Sequence, residues 1–163
     1  MADSANLRLT QIWQCFKQID TIFHTYAAEQ QLSDSAFWIL YTLCLGDGPY
    51  TQNDLCEECC FSKQTTHSAV AGLVKAGYVR LEHLPGSRNS KSVALTPAGH
   101  TYADAHIRPA MRAEFAAFDR LSTAEQDAYY QLVRRHLTLF GEEVAALKEP
   151  HSSEDLLSQR QSR

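Results

Sequence analysis

This 163-residue sequence predicts a mainly α-helical fold with a small β-hairpin wing and a helical dimerisation layer. Three observations carry the prediction. Long apolar stripes recur at three- and four-residue spacing near both ends of the chain. Between them, capping residues and turns mark out short helices. A two-residue alternation interrupts the helical rhythm once, around residues 78–95.

The first helix spans about 6–31, because Leu9, Ile12, Trp13, Phe16, Ile19, Phe23 and Tyr26 share one face. Ser33 caps a second helix, with Leu32 and Phe37 placed as a hydrophobic staple, and Gly46 ends it before the turn GDGP. Thr51 caps a short third helix. Ser62 caps a fourth, which stops at Gly77. YVRLE (78–82) and SVAL (92–95) alternate on either side of HLPGSRNSK, the signature of a hairpin with a long tip. Thr96 followed by Pro97 opens a fifth helix reaching about Arg120, and Pro109 should kink it by removing a ladder hydrogen bond. Ser122 and Glu125 form a capping box at the head of a sixth helix. Its stripe is Tyr129, Leu132, Val133, Leu137, Phe140, Val144 and Leu147. The polar tail 149–163 reads as disordered.

Composition narrows the class. Hydrophobic residues make up 44% and charged residues 21%, as in soluble globular proteins. No apolar run approaches the ~20 residues that cross a bilayer, so no membrane partner is expected and the chain is placed in the cytoplasm. There Cys15, Cys44, Cys56, Cys59 and Cys60 should stay thiols. Residues 62–96 set Lys63, Lys75, Arg80, Arg88 and Lys91 against Glu82 alone, a net of +4 inside a chain of net −4. Such a segment implies one surface that meets an anion. A Gly-rich phosphate loop, a nucleophile elbow and H-E-x-x-H are all missing, which argues against an enzyme; no cofactor is expected.

The stripes of the first, fifth and sixth helices outrun what one small core can cover. Residues 6–31 and 97–148 are therefore assigned to a dimerisation region of a homodimer. Residues 32–96 form the other part: two short helices joined by a tight turn, then a hairpin, make a winged helix-turn-helix. On that frame Leu55 is the first core anchor. Cys56 falls where the helices come closest, Cys59 takes an apolar position, and Cys60 sits at the turn where glycine is usual. Thr66 and Val70 face the core, leaving Lys63, Gln64, Thr65, His67 and Ser68 outward.

This stretch, followed by GYVRLEHLPGSRNSKSVALTPAGH, resembles the MarR family of transcriptional regulators. Leu95, Thr96 and Gly99 match the family's LT-x-x-G after the wing. The resemblance covers about 6–148 and is most specific over 51–99. It implies a homodimeric repressor on pseudo-palindromic double-stranded DNA, released by a small aromatic or lipophilic effector. Helix four would enter the major groove and the wing the minor groove. The implied DNA-contacting residues are Lys63, Gln64, Thr65, His67, Ser68 and Lys75, with Arg80, Arg88, Asn89 and Lys91 from the wing. Trp13, Phe16, Phe37, Trp38 and Tyr41 lie on the two helices that help line the family's effector pocket. Singly, each is more readily a core residue, and only as a group do they suggest a ring-accepting pocket. The chain departs from the pattern at Ser87, where an acid is expected, and at Asn89 and Ser68, where arginines are common. Fewer arginines mean fewer phosphate and guanine contacts. A winged helix that binds only protein is the rival reading, and the basic 62–96 segment speaks against it.

The run CEECC remains. Its plain reading is packing, a role that free cysteine fills well. The alternative is a thiol-redox or metal-responsive regulator using Cys56, Cys59 and Cys60. Helical residues four apart hold their Cβ atoms ~5–6 Å apart, beyond the ~3.5–4.5 Å of a disulfide. Glu57, Glu58 and the negative helix end oppose a thiolate. A structural zinc site wants a second ligand pair that the sequence lacks, so no metal is expected.

Overall fold

The computed structural model describes residues 2–46, 48–83 and 90–147. In chain order these form α1 (Ala2–Glu29), α2 (Asp34–Leu45), β1 (Tyr50–Thr51), α3 (Gln52–Glu58), α4 (Lys63–Lys75), β2 (Val79–His83), β3 (Lys91–Leu95), α5 (Pro97–His106), α6 (Arg108–Phe118) and α7 (Thr123–Ala146). The chain divides into two compact units, Met1–Glu114 and Phe115–Arg163. The mainly helical class with a small wing stands. The expected disordered tail, 149–163, lies outside the described residues.

Local chemistry sets most of the boundaries. The side-chain oxygens of Ser33, Thr51, Ser62, Thr96 and Ser122 each accept a backbone N–H of the first helical turn. Each cap of this kind is worth about 1 kcal/mol. Gly77, at φ 77°, follows α4 in the left-handed region that glycine enters without strain. Gly46 also closes its helix, but in an extended conformation rather than a left-handed one.

Three expectations need correction. Helix α1 begins four residues earlier than the stripe indicated. The fifth helix is not one kinked helix but two. It breaks at Ile107 (φ −98°, ψ −53°), because Pro109 has no N–H to give the preceding turn. The hairpin is not alone: β1 pairs antiparallel with β3, giving a three-stranded sheet of order β1-β3-β2.

The core of the first unit is built around α2. Phe37, Ile39 and Leu40 are fully buried, joined by Phe23 and Ala27 of α1, Leu55 of α3, Val70 and Leu73 of α4, and Ile107. Burying one such side chain is worth roughly 1.5–3 kcal/mol. The N-terminal part of α1 and all of α7 differ. Ile12, Phe16 and Ile19 stay exposed, and α7 has no buried residue, although Leu132, Leu137 and Phe140 stand on it.

Candidate nucleic-acid interface and effector pocket

The turn between α3 and α4 fixes how α4 is presented. Thr51 and Asp54 form a reciprocal capping box at the head of α3, with Thr51 N–H donating to Asp54 Oδ2 at 2.7 Å and Asp54 N–H to Thr51 Oγ1 at 3.2 Å. The Thr51 N–H, then its hydroxyl, hold the Asp54 carboxyl below the usual carboxylate range. Cys60 then turns the chain at φ 53°, the left-handed conformation for which glycine is the ordinary residue. Ser62 caps α4 through Thr65 N–H at 3.1 Å.

Helix α4 is two-faced. Thr66, Ala69, Val70 and Leu73 are buried, while Lys63, Gln64, Thr65, His67 and Ser68 are exposed, as is Lys75 at its end. His67 Nδ1 lies 3.2 Å from Gln52 Oε1, so that side chain is oriented by the start of α3. Nothing in the sequence announced this contact.

In the wing, β2 and β3 pair in register from Val79↔Leu95 to His83↔Lys91. Lys91 is exposed. Arg80 is committed to the sheet, its guanidinium donating to the Glu82 carboxylate and to the Leu95 carbonyl. Arg88 and Asn89 lie outside the described residues. The LT-x-x-G motif joins the wing to α5. Thr96 Oγ1 donates to Gly77 O at 2.6 Å and accepts Gly99 N–H at 2.9 Å. A Cβ on Gly99 would lie 1.9 Å from the Tyr78 carbonyl oxygen, which is why glycine stands there.

The aromatic candidates separate. Phe37 is fully buried core, whereas Trp13 and Phe16 are exposed on α1. Trp38 and Tyr41 do meet, at 5.3 Å between ring centroids. They line a cavity of about 310 Å³ with Leu45, Tyr50, Cys59 and Phe61. The Tyr41 hydroxyl donates to the Glu114 carboxylate. Burial, then Glu114, push the Tyr41 phenol far above its ordinary value. Tyr50, Phe61 and Glu114 were not singled out in the sequence; only their apolar or acidic character could have hinted at them.

All five cysteines are free. Cys59 fits the packing reading: it abuts the core, its sulfur lies 3.4 Å from Thr42 Oγ1, and burial raises its thiol pKa. Cys60 does not fit it, being exposed where the chain turns. Among the described residues no group of three or more His, Cys, Asp or Glu is arranged around a metal site.

The MarR family profile matches residues 30–88. In fold the chain is similar to NMB1585, a MarR family regulator from Neisseria meningitidis, at 20% identity and a TM-score of 0.72, over 86% of this chain and 99% of that one. It is also similar to Bordetella bronchiseptica BpsR, whose DNA binding is regulated by 6-hydroxynicotinic acid (19% identity, TM-score 0.60, 78% and 90% covered). Staphylococcus aureus MarR, solved with salicylate and kanamycin, shares the fold at 12% identity and a TM-score of 0.65, with 85% and 93% covered. No curated protein matches the chain in sequence. Among the described residues no helix is long and apolar enough to cross a membrane.

Proposed function

We propose that the chain is a winged-helix transcriptional regulator of the MarR family, acting as a homodimeric, cytoplasmic repressor of pseudo-palindromic operators. The single observation that carries this reading is the exposed polar face of α4 opposite a buried apolar one. Gln64, Thr65, His67 and Ser68 reach base edges, and the Gln64 carboxamide suits the N6/N7 edge of adenine. Lys63, Lys75 and Lys91 hold phosphates, with Arg88 and Asn89 from the wing, while Arg80, held by Glu82 and the Leu95 carbonyl, drops out of the contact set. Exposed apolar residues on α1 and α7, among them Trp13, Ile19, Leu137 and Phe140, support a partner copy over 6–31 and 97–148. Residues 32–96 then act as the reading head.

The Trp38–Tyr41 cavity supports release by a small aromatic or lipophilic effector. Its volume of about 310 Å³ is at the small end of ligand sites; Trp38, Tyr41, Tyr50 and Phe61 supply rings, and Thr42, Glu58 and the Tyr41 hydroxyl supply its polar groups. Selection of bound sequences from random duplex DNA tests the reading. It should return two half-sites ~10–10.5 base pairs apart, bound by a dimer with steep salt dependence. Salicylate or 6-hydroxynicotinic acid then serves as the first release probe. No enrichment of any duplex, or a monomer by sedimentation, overturns the proposal.

A further inference from the structure

A larger cleft, about 590 Å³, opens away from the Trp38–Tyr41 cavity, between the α1–α2 junction, α4 and α5. One wall is aromatic and fixed. Tyr78 and Tyr102 stack at 4.2 Å with their planes 26° apart, and His106 lies 4.5 Å beyond Tyr102. Gln30 braces this wall twice: its carbonyl accepts the Tyr102 hydroxyl at 2.9 Å, and its Oε1 lies 2.6 Å from His106 Nδ1. An amide oxygen only accepts, so Nδ1 carries the proton, and in the neutral ring Nε2 is left as an acceptor.

The facing wall on α4 consists of Ser68, Ala69, Gly72 and Ala76. Gly72 has no positive φ, and a Cβ there would meet nothing within 4 Å. Neither backbone geometry nor a neighbouring atom requires glycine, although glycine weakens a helix interior relative to alanine. What it provides is room in the cleft. Glu29 is the only charged residue lining the cleft among the described residues, and no lysine or arginine does.

We infer that this cleft is a second small-molecule site, taking a flat nitrogen heterocycle that is neutral or cationic. The ring lies along the Tyr102–His106 wall, its N–H or amino group meets His106 Nε2, and Glu29 favours a positive charge. An aromatic carboxylate finds no lysine or arginine lining this cleft, and the Glu29 carboxylate opposes it. Ser68 lines the cleft on the same helix as Gln64 and His67, so an occupant bears directly on α4. Binding itself does not depend on the regulator reading.

The test is a titration of the full-length 15N-labelled chain with 4-aminoquinoline, nicotinamide and benzoate. Expected are saturable shifts of the Gly72 backbone amide and the Gln30 side-chain amide with the first two, and at least ~10-fold weaker binding of benzoate, a gap of about 1.4 kcal/mol. Gly72→Leu should abolish the shifts while keeping a dispersed, folded spectrum. Ala76→Leu, from the other end of the wall, provides a second closure of the cleft. Trp38→Ala should leave the shifts intact. Absence of saturable shifts with either base, equal binding of benzoate, or binding that survives both cleft-filling variants overturns the inference.

Discussion

Tyr41 on α2 donates a hydrogen bond to Glu114 on α6, 73 residues further along the chain. Removing the hydroxyl in Tyr41→Phe should destabilise the protein by about 0.5–1.5 kcal/mol in urea unfolding. The alkaline limb provides a second check. The folded state holds the Tyr41 proton more tightly than the unfolded chain does. Its contribution is therefore complete below the ordinary tyrosine value of 10.0 and is lost as pH rises above it. Tyr102 is raised in the same sense by burial, so Tyr41→Phe should flatten the loss above pH 10.0 without abolishing it. An unchanged urea midpoint with an unchanged alkaline slope would show that the pair does nothing for stability.

Two helical glycines should respond oppositely to the same substitution. At Gly72 an added Cβ meets nothing within 4 Å, so Gly72→Ala should stabilise by about 1 kcal/mol through helix propensity. At Gly99 it would lie 1.9 Å from the Tyr78 carbonyl oxygen, so Gly99→Ala should destabilise by about 1–3 kcal/mol. Thermal unfolding of the two single variants decides the matter. Shifts of the same sign would contradict the geometry.

Cys60 occupies a left-handed conformation, φ 53°. Cys60→Gly should raise stability by about 0.5–1 kcal/mol, the relief of Cβ strain less the glycine's greater unfolded-chain entropy. Cys60→Val should lower it, because a branched Cβ tolerates positive φ least. The order Gly above Cys above Val in chemical denaturation is the expected outcome. DNA binding of the glycine variant should match the parent before and after mild peroxide treatment.

On α4, base reading and phosphate contact are separable. Gln64→Ala should relax preference at one position of each half-site, a discrimination of ~1–3 kcal/mol. Lys75→Ala should weaken all duplexes alike and reduce the salt slope by about one counterion. Affinities for single-base operator variants across a salt series distinguish the two. A uniform loss from Gln64→Ala would remove it from the base-reading set.

Caps were legible in the sequence because their chemistry is local. Ser33, Thr51, Ser62, Thr96 and Ser122 each act on an N–H three residues ahead. The two faces of α4 were legible for the same reason, since burial follows helical period. Within α2 that signal fails. DSAFWILYTLCL is apolar on nearly every side, so pattern alone could not send Phe37 to the core and Trp38 to a cavity wall. The remaining gaps are contacts between distant segments. Gln30 with His106, Gln52 with His67, Tyr41 with Glu114 and β1 with β3 all depend on packing that no local window contains. Pro109 lies between: its missing donor was visible, but a full break at Ile107 depended on how that buried side chain is held.

Thr51 is at once the last residue of β1, opposite Ser92 of β3, and the N-cap of α3. No spacer separates sheet from helix at this point, so the two cannot open independently. In native-state hydrogen exchange the amides of Asp54 and of the central β3 residues should then exchange with one shared opening free energy, as a single cooperative unit. A groove contact felt by the wing strands would reach the first turn of α3 through one residue, with no loop to absorb it.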